Sequence, residues 1–202
     1  MRRAFVLTLI ASAAIGHADR LITIPTARKL PYRTVRYEFR GEPKQIGERE
    51  NLIGLGIGTA FDMELRLDQE PGERAVDTFD FAYNYISAIP GLTPGLSLGV
   101  QDAVDRTADG RRFFGAATFR EPFTTINGDV PADITLGVFA GRHWSPFVGV
   151  SIPFSKEFHL LVEHNGFRIS SGIEYQVSSL LNLRAQVRDH QTLLSLQLTR
   201  RF

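Results

Sequence analysis

From residue 33 onward the chain alternates apolar and polar positions almost without interruption. In TVRYEFR, Val35, Tyr37 and Phe39 fall on one side and Arg36, Glu38 and Arg40 on the other. FDMELRLD sets Phe61, Met63, Leu65 and Leu67 against Asp62, Glu64, Arg66 and Asp68. TFDFAYNYI, LSLGVQ, DITLGVFAG, FRISSGIEYQ and LNLRAQVRD repeat the pattern. A period of two is the mark of a strand with one apolar and one polar face, and helical periodicity is hard to find after residue 20. The alternation predicts about twelve strands, near 33–41, 51–59, 61–69, 76–86, 95–105, 111–120, 133–142, 147–154, 157–164, 167–177, 180–189 and 191–202. HNGF carries an Asn165-Gly166 hairpin signal, and SAIPGLTPG, EPGE and ADGRR are Pro/Gly-rich breaks.

Strands of this kind build either a sandwich with a dry core or a barrel whose apolar faces meet lipid. The polar faces favour the barrel. They carry opposite charges at matched depths, and Gly54, Gly56 and Gly58 alternate along one of them. On a solvent face such glycines only weaken a strand, whereas in a crowded interior they leave room for Arg and Glu from neighbouring strands. Tyr37, Phe39, Phe61, Tyr83, Tyr85, Phe167, Tyr175 and Phe202 fall mostly toward strand ends, as interfacial aromatic girdles do. The expected fold is therefore all-β: an antiparallel transmembrane β-barrel of about twelve strands spanning 33–202, with ten or fourteen as alternatives. Both ends are expected on the periplasmic side.

The first residues supply the compartment. MRRAFVLTLIASAAIGHA has two arginines, a short apolar run and small residues, which reads as a signal peptide over 1–18 cut between Ala18 and Asp19. The run is shorter than the ~20 residues a membrane-spanning helix needs. Residues 19–32 then form an expected periplasmic lead-in. Removing Arg2 and Arg3 leaves 21 Lys+Arg against 22 Asp+Glu, so no basic excess points to nucleic acid. The chain has no cysteine, which excludes disulfides and a lipid on an N-terminal Cys. Outer-membrane lipid, including lipopolysaccharide, is the expected surrounding. GEPKQIGEREN, DQEPGERA and DAVDRTADGRR read as charged loops on the outer side.

The end of the chain, LLSLQLTRRF, keeps Leu194, Leu196, Leu198 and Phe202 on one face. A terminal aromatic on an amphipathic last strand resembles the assembly signal that outer-membrane proteins show to the barrel-insertion machinery. Arg200 departs from it, because an apolar residue or aromatic usually stands there. LITIPTARKLPYRTVRYEF is similar to the opening of YjbH-like proteins, and LTPGLSLGV and LLVEHNGFRISSGIEYQVSSLLNLRAQV resemble that family's strand-turn-strand units. The resemblance covers the first ~20 residues after the expected cut and the last ~60. It implies an outer-membrane barrel associated with exopolysaccharide or capsule production, with polysaccharide or its export proteins as partners. It implies no catalytic residues.

Candidate chemistry is sparse. His143 stands in a loop, His164 and His190 beside outer turns, and His159 near the inner rim. A lipid-modifying hydrolase would need Ser and His at one depth. With a tight Asn165-Gly166 turn, Ser171 falls opposite Leu160, about 13 Å from His164 at ~3.3 Å per residue. His159 and His164 face opposite ways and cannot share a metal. No enzyme activity and no cofactor is expected. The inward charges are the remaining candidates: Arg36, Glu38, Asp62, Glu64, Arg66, Asp80, Arg168, Glu174, Arg184 and Arg188. They would fill and hold the lumen as a paired network, or line a small pore. A soluble periplasmic β-sandwich that binds a ligand is a further alternative.

Overall fold

The computed structural model describes residues 20–43, 45–69, 75–188 and 191–202. The expected signal peptide, its Ala18/Asp19 cut and His190 lie outside the described residues.

Twelve strands follow one another in chain order: β1 (Thr34–Glu42), β2 (Gln45–Ile57), β3 (Phe61–Gln69), β4 (Val76–Ile86), β5 (Gly95–Gln101), β6 (Arg112–Thr125), β7 (Gly128–Ala140), β8 (Trp144–Pro153), β9 (Phe158–His164), β10 (Ile169–Gln176), β11 (Leu181–Arg188) and β12 (Gln191–Arg201). Each pairs antiparallel with its neighbours in sequence, and β1 pairs with β12, so the sheet closes into a barrel. At that seam Thr34 lies opposite Arg201 and Gly41 opposite Leu194. Phe202 adds one more bond, its N–H donating to Arg33 O at 2.9 Å. Closure leaves no strand edge to template aggregation.

Side chains sort by parity, as the alternation requires. In β11 and β12, Asn182, Arg184, Gln186, Ser195 and Gln197 are buried, while Leu183, Val187, Leu194, Leu196 and Leu198 are exposed. The outward face is thus an apolar surface on nearly every strand, which suits a hydrocarbon surrounding rather than water. Phe61, Phe81, Tyr83 and Tyr85 form an aromatic cluster on this face, with Phe61 and Tyr83 centroids 4.9 Å apart. Arg200 places its guanidinium over the Phe202 ring, 5.3 Å from its centroid, a cation–π contact with the terminal aromatic.

Several boundaries differ from the sequence reading. GEPKQIGEREN is not a loop, because β1 and β2 run through most of it. The β6–β7 hairpin is longer than expected, continuing to a two-residue turn at Ile126-Asn127. Pro122 and Pro131, which lack an N–H and interrupt the sequence pattern, sit opposite one another in this ladder. Gly128 closes the turn with φ of 114°, a conformation L side chains rarely adopt. β5 ends at Gln101 rather than near 105, because Asp102 and Asp105 take positive φ and turn the chain into a loop.

Candidate functional site: a lumen closed from within

Of the segment expected as a periplasmic lead-in, residues 19–32, the described residues 20–30 are instead inside the barrel, and Tyr32 is exposed. Leu21, Ile22, Ile24, Ala27 and Leu30 are buried, with Ile22, Ile24 and Leu30 fully so. Leu21 N–H donates to Ile24 O at 3.0 Å, and Arg20 bridges to Pro25, folding the segment into a compact turn. Such a turn has apolar side chains and unpaired backbone groups, and both need partners.

The wall supplies both. Leu21, Ile22 and Ile24 pack with Phe114, Ala116, Phe139, Phe147 and Leu161 in one apolar cluster. Phe139 and Phe147 pack at 4.6 Å between centroids. The backbone N–H groups are met by Glu163 on β9. Its carboxylate accepts from Ile22 N at 2.9 Å, from Thr23 N at 2.8 and 3.0 Å, and from Ile24 N at 3.3 Å, and it also takes the Thr23 hydroxyl. Arg184 Nη1 donates to Leu21 O at 3.1 Å. Nearer β1, Ala27 N donates to Thr118 Oγ1 at 2.8 Å and Leu30 N to Asp62 Oδ1 at 3.1 Å.

Inward glycines make the space. A Cβ at Gly149 would meet Ile24 Cδ1 at 2.5 Å and Leu21 Cδ2 at 2.6 Å, and one at Gly95 would meet Ala27 O at 2.9 Å. A Cβ at Gly54 would meet Leu30 Cδ1 at 2.9 Å, and one at Gly56 would overlap Pro31 O. The glycines expected to make room for arginine and glutamate therefore make room mainly for this segment. Gly58 differs again: it sits in the β2–β3 turn with φ of 78° and open space around it.

Charged groups fill the β1–β4 side. Arg20 pairs with Glu64 and, at 2.8 Å, with Asp80. Arg36 Nη2 donates to Glu64 Oε2 at 2.7 Å. Arg40 pairs with Glu38 at 3.0 Å and with Glu50 at 2.7 Å, and Arg188 reaches Glu50 at 3.1 Å. Arg184 pairs with Glu174 across the β10–β11 ladder. Arg28 and Arg120 both hold Asp133, at 2.5 and 3.0 Å. A cavity of about 20 Å³ beside Arg20, Pro25, Asp62, Glu64 and Asp80 has room for about one water.

Most of the charges expected to face inward do so: Arg36, Glu38, Asp62, Glu64, Asp80, Glu174 and Arg184 are buried. Arg66 and Arg188 are less enclosed, with side chains 23 % and 21 % exposed. Arg168 is a correction. It lies exposed in the turn before β10, because the strand starts at Ile169. Arg20, Arg40, Glu50, Asp133 and Glu163 belong to the lumen and are absent from the expected set. Parity marks Arg40 and Glu50. The run Leu160-Leu161-Val162 hides the parity that would mark Glu163, because both faces of β9 are apolar there.

Among the described residues the histidines do not assemble a site. Ser171 pairs opposite Val162 rather than Leu160, because the turn takes four residues, Asn165 to Arg168. Ser171 is then two residues from His164 along the ladder, about 7 Å, which still exceeds hydrogen-bond reach. His164 Nδ1 instead accepts from Gly166 N at 3.1 Å. His159 is buried in the wall, opposite Glu174 in register. Among the described residues no three His, Asp or Glu side chains are placed to hold a metal.

No protein-family model matches the chain, and no curated protein matches it. Among solved structures, a KdgM porin in complex with disordered oligogalacturonate is similar, with a TM-score of 0.54 over 84 % of this chain and 99 % of that chain. The fold the two share is a closed antiparallel barrel. At 11 % identity the likeness is one of architecture. Within that architecture, the lumen of this barrel is filled by residues 20–30, which cross from the charged networks of β1–β4 to the aromatic cluster of β6–β9.

Proposed function

We propose that the protein is a non-enzymatic outer-membrane β-barrel, exported by the general secretory route after loss of residues 1–18, with a polar and largely filled lumen. The observation that carries this reading is the closed twelve-strand barrel with an apolar outer wall and a packed interior. It acts as a structural or secretion-associated element of the envelope and not as a hydrolase. The YjbH-like resemblance supports a link to exopolysaccharide or capsule secretion. Its opening motif, LITIPTA, coincides with the segment seated in the lumen. Polysaccharide or its export proteins are the corresponding partners, and the insertion machinery is the partner during assembly.

Two measurements test this. The purified protein should show heat-modifiable gel migration and require detergent; a monodisperse protein without detergent overturns the membrane reading. A deletion strain should lose surface polysaccharide and recover it on complementation; unchanged polysaccharide removes the secretion link while leaving the barrel intact.

A further inference from the structure

Most of the charged wall groups that bond to the N-terminal segment are acidic. Five wall carboxylates bond to residues 20–30: Asp62, Glu64, Asp80, Asp133 and Glu163. The segment answers them with Arg20, Arg28 and a row of backbone N–H groups. A guanidinium, Arg184, also touches it, through the Leu21 carbonyl.

The carboxylates are not equal. Glu64 has Arg36, Asp80 has Arg66 and Asp133 has Arg120 from the wall itself. Asp62 has the Asn84 amide at 2.9 Å. Glu163 differs, because the hydrogen bonds it accepts among the described residues come from Ile22, Thr23 and Ile24. It is 1 % exposed. A carboxylate this deep needs a cation or a set of donors. Without the segment, the wall would present Glu163 to whatever entered.

We propose that the lumen is a built cation path and that residues 20–30 are its tethered occupant, standing where a mobile cation or a donor-rich cationic chain would stand. The wall accommodates that occupant through glycines rather than by collapsing. Gly149, Gly54 and Gly56 lie against the segment and not against one another. Vacating residues 20–30 therefore leaves a passage in which wall arginines balance Glu64, Asp80 and Asp133 while Glu163 adds a further carboxylate, an acidic excess that favours cations. This inference rests on the barrel standing in a membrane, and its test reads a different quantity from detergent dependence.

The experiment compares the full barrel with a variant lacking residues 20–30, both checked for heat-modifiable folding and reconstituted in planar bilayers under a potassium chloride gradient. The full barrel should conduct little. The shortened one should conduct steadily, with potassium favoured over chloride by about threefold or more. Glu163→Gln in the shortened barrel should lower that ratio. A folded shortened barrel that stays closed, or that favours chloride, overturns the proposal. If the deletion does not assemble, the full chain with Ile22→Asp and Ile24→Asp replaces it. Two carboxylates beside Glu163 and the phenylalanines would expel the segment while the wall stays unaltered. That variant must open and favour potassium, and a folded but closed one overturns the proposal.

Discussion

Thr23 and Glu163 are 140 residues apart in the chain, and both carboxylate oxygens of Glu163 accept the Thr23 backbone N–H, at 2.8 and 3.0 Å. Glu163→Ala leaves the Ile22, Thr23 and Ile24 donors inside the barrel with nothing to replace the carboxylate. Each buried unsatisfied group costs about 1–3 kcal/mol. The expected outcome is a clear fall in the temperature at which the folded gel band disappears. Glu163→Gln, which keeps one acceptor oxygen, should fall less. Equal behaviour of the two variants would show that the charge matters and the geometry does not.

Arg36 should matter more than Arg66. Arg36 is 1 % exposed and bonds Glu64 at 2.7 Å, whereas Arg66 is 23 % exposed and meets Asp80 at 3.4 Å. Removing one partner of a buried pair costs about 3–5 kcal/mol, and a partly solvated pair contributes about 1 kcal/mol or less. Thermal melts of Arg36→Ala and Arg66→Ala in the same detergent decide this. A larger loss for Arg66→Ala would mean that Arg20 alone suffices for Glu64.

Gly149→Ala tests the fit of the segment against the wall. The new methyl would stand 2.5 Å from Ile24 Cδ1 and 2.6 Å from Leu21 Cδ2. Both side chains must move, at an overpacking cost of about 1–3 kcal/mol. In a barrel lacking residues 20–30 the same substitution should be nearly neutral. A double-mutant cycle on melting temperature measures the difference, and additivity of the two changes would contradict the contact.

Asp102 sets a pH dependence at the β5–β6 loop. Its burial works to raise the pKa. The backbone N–H groups of Arg106 and Thr107 and the Thr107 hydroxyl outweigh that and hold it below the usual Asp value. A depressed native pKa stabilises the loop above the unfolded value of about 3.9, and the gain is lost as pH falls through the lower native value. The Thr107 amide, which donates to Asp102 Oδ2 at 2.7 Å, should keep a constant chemical shift from pH 8 to 5 and move only under stronger acid. An inflection above pH 5 would contradict this arrangement.

Trp144 is the chain's single tryptophan and is 76 % exposed on the outward face of β8. In bilayers its fluorescence should be quenched by brominated lipid, more strongly by bromines near the headgroup than by those at the chain ends. Absence of quenching at any depth would place this end of β8 outside the membrane.

The barrel was largely legible because strand parity is a local property. Leu183, Arg184 and Ala185 each declare a face without reference to anything distant. The same parity placed Arg36, Glu64 and Arg184 in the lumen. What it could not express was competition for that space. Ile22 and Ile24 read as part of a periplasmic lead-in to β1, and nothing nearby says that Glu163 and Phe147, far along the chain, are their partners. Gly54 and Gly56 were visible as inward glycines, but the object they admit was not. Arg168 failed for a different reason: the turn after His164 uses four residues, and Asn165 Oδ1 accepts the Phe167 and Arg168 N–H groups, so the strand begins later than the Asn-Gly pair suggests.

Every strand pairing but one joins consecutive strands, and that one, β1 with β12, joins the first strand to the last. Local hairpins form cheaply and early, while contacts across long sequence separations come late. The seam is such a contact, and so are Arg184 with Leu21 and Glu163 with Thr23. Residues 20–30 thus acquire their β9 and β11 partners late, near the step that turns a curved sheet into a ring. Closing the ring around residues 20–30 makes their enclosure a matter of timing. A segment already lying against β9 and β11 when β12 meets β1 is sealed in, whereas one arriving afterwards must thread a finished cylinder whose interior has little room to spare.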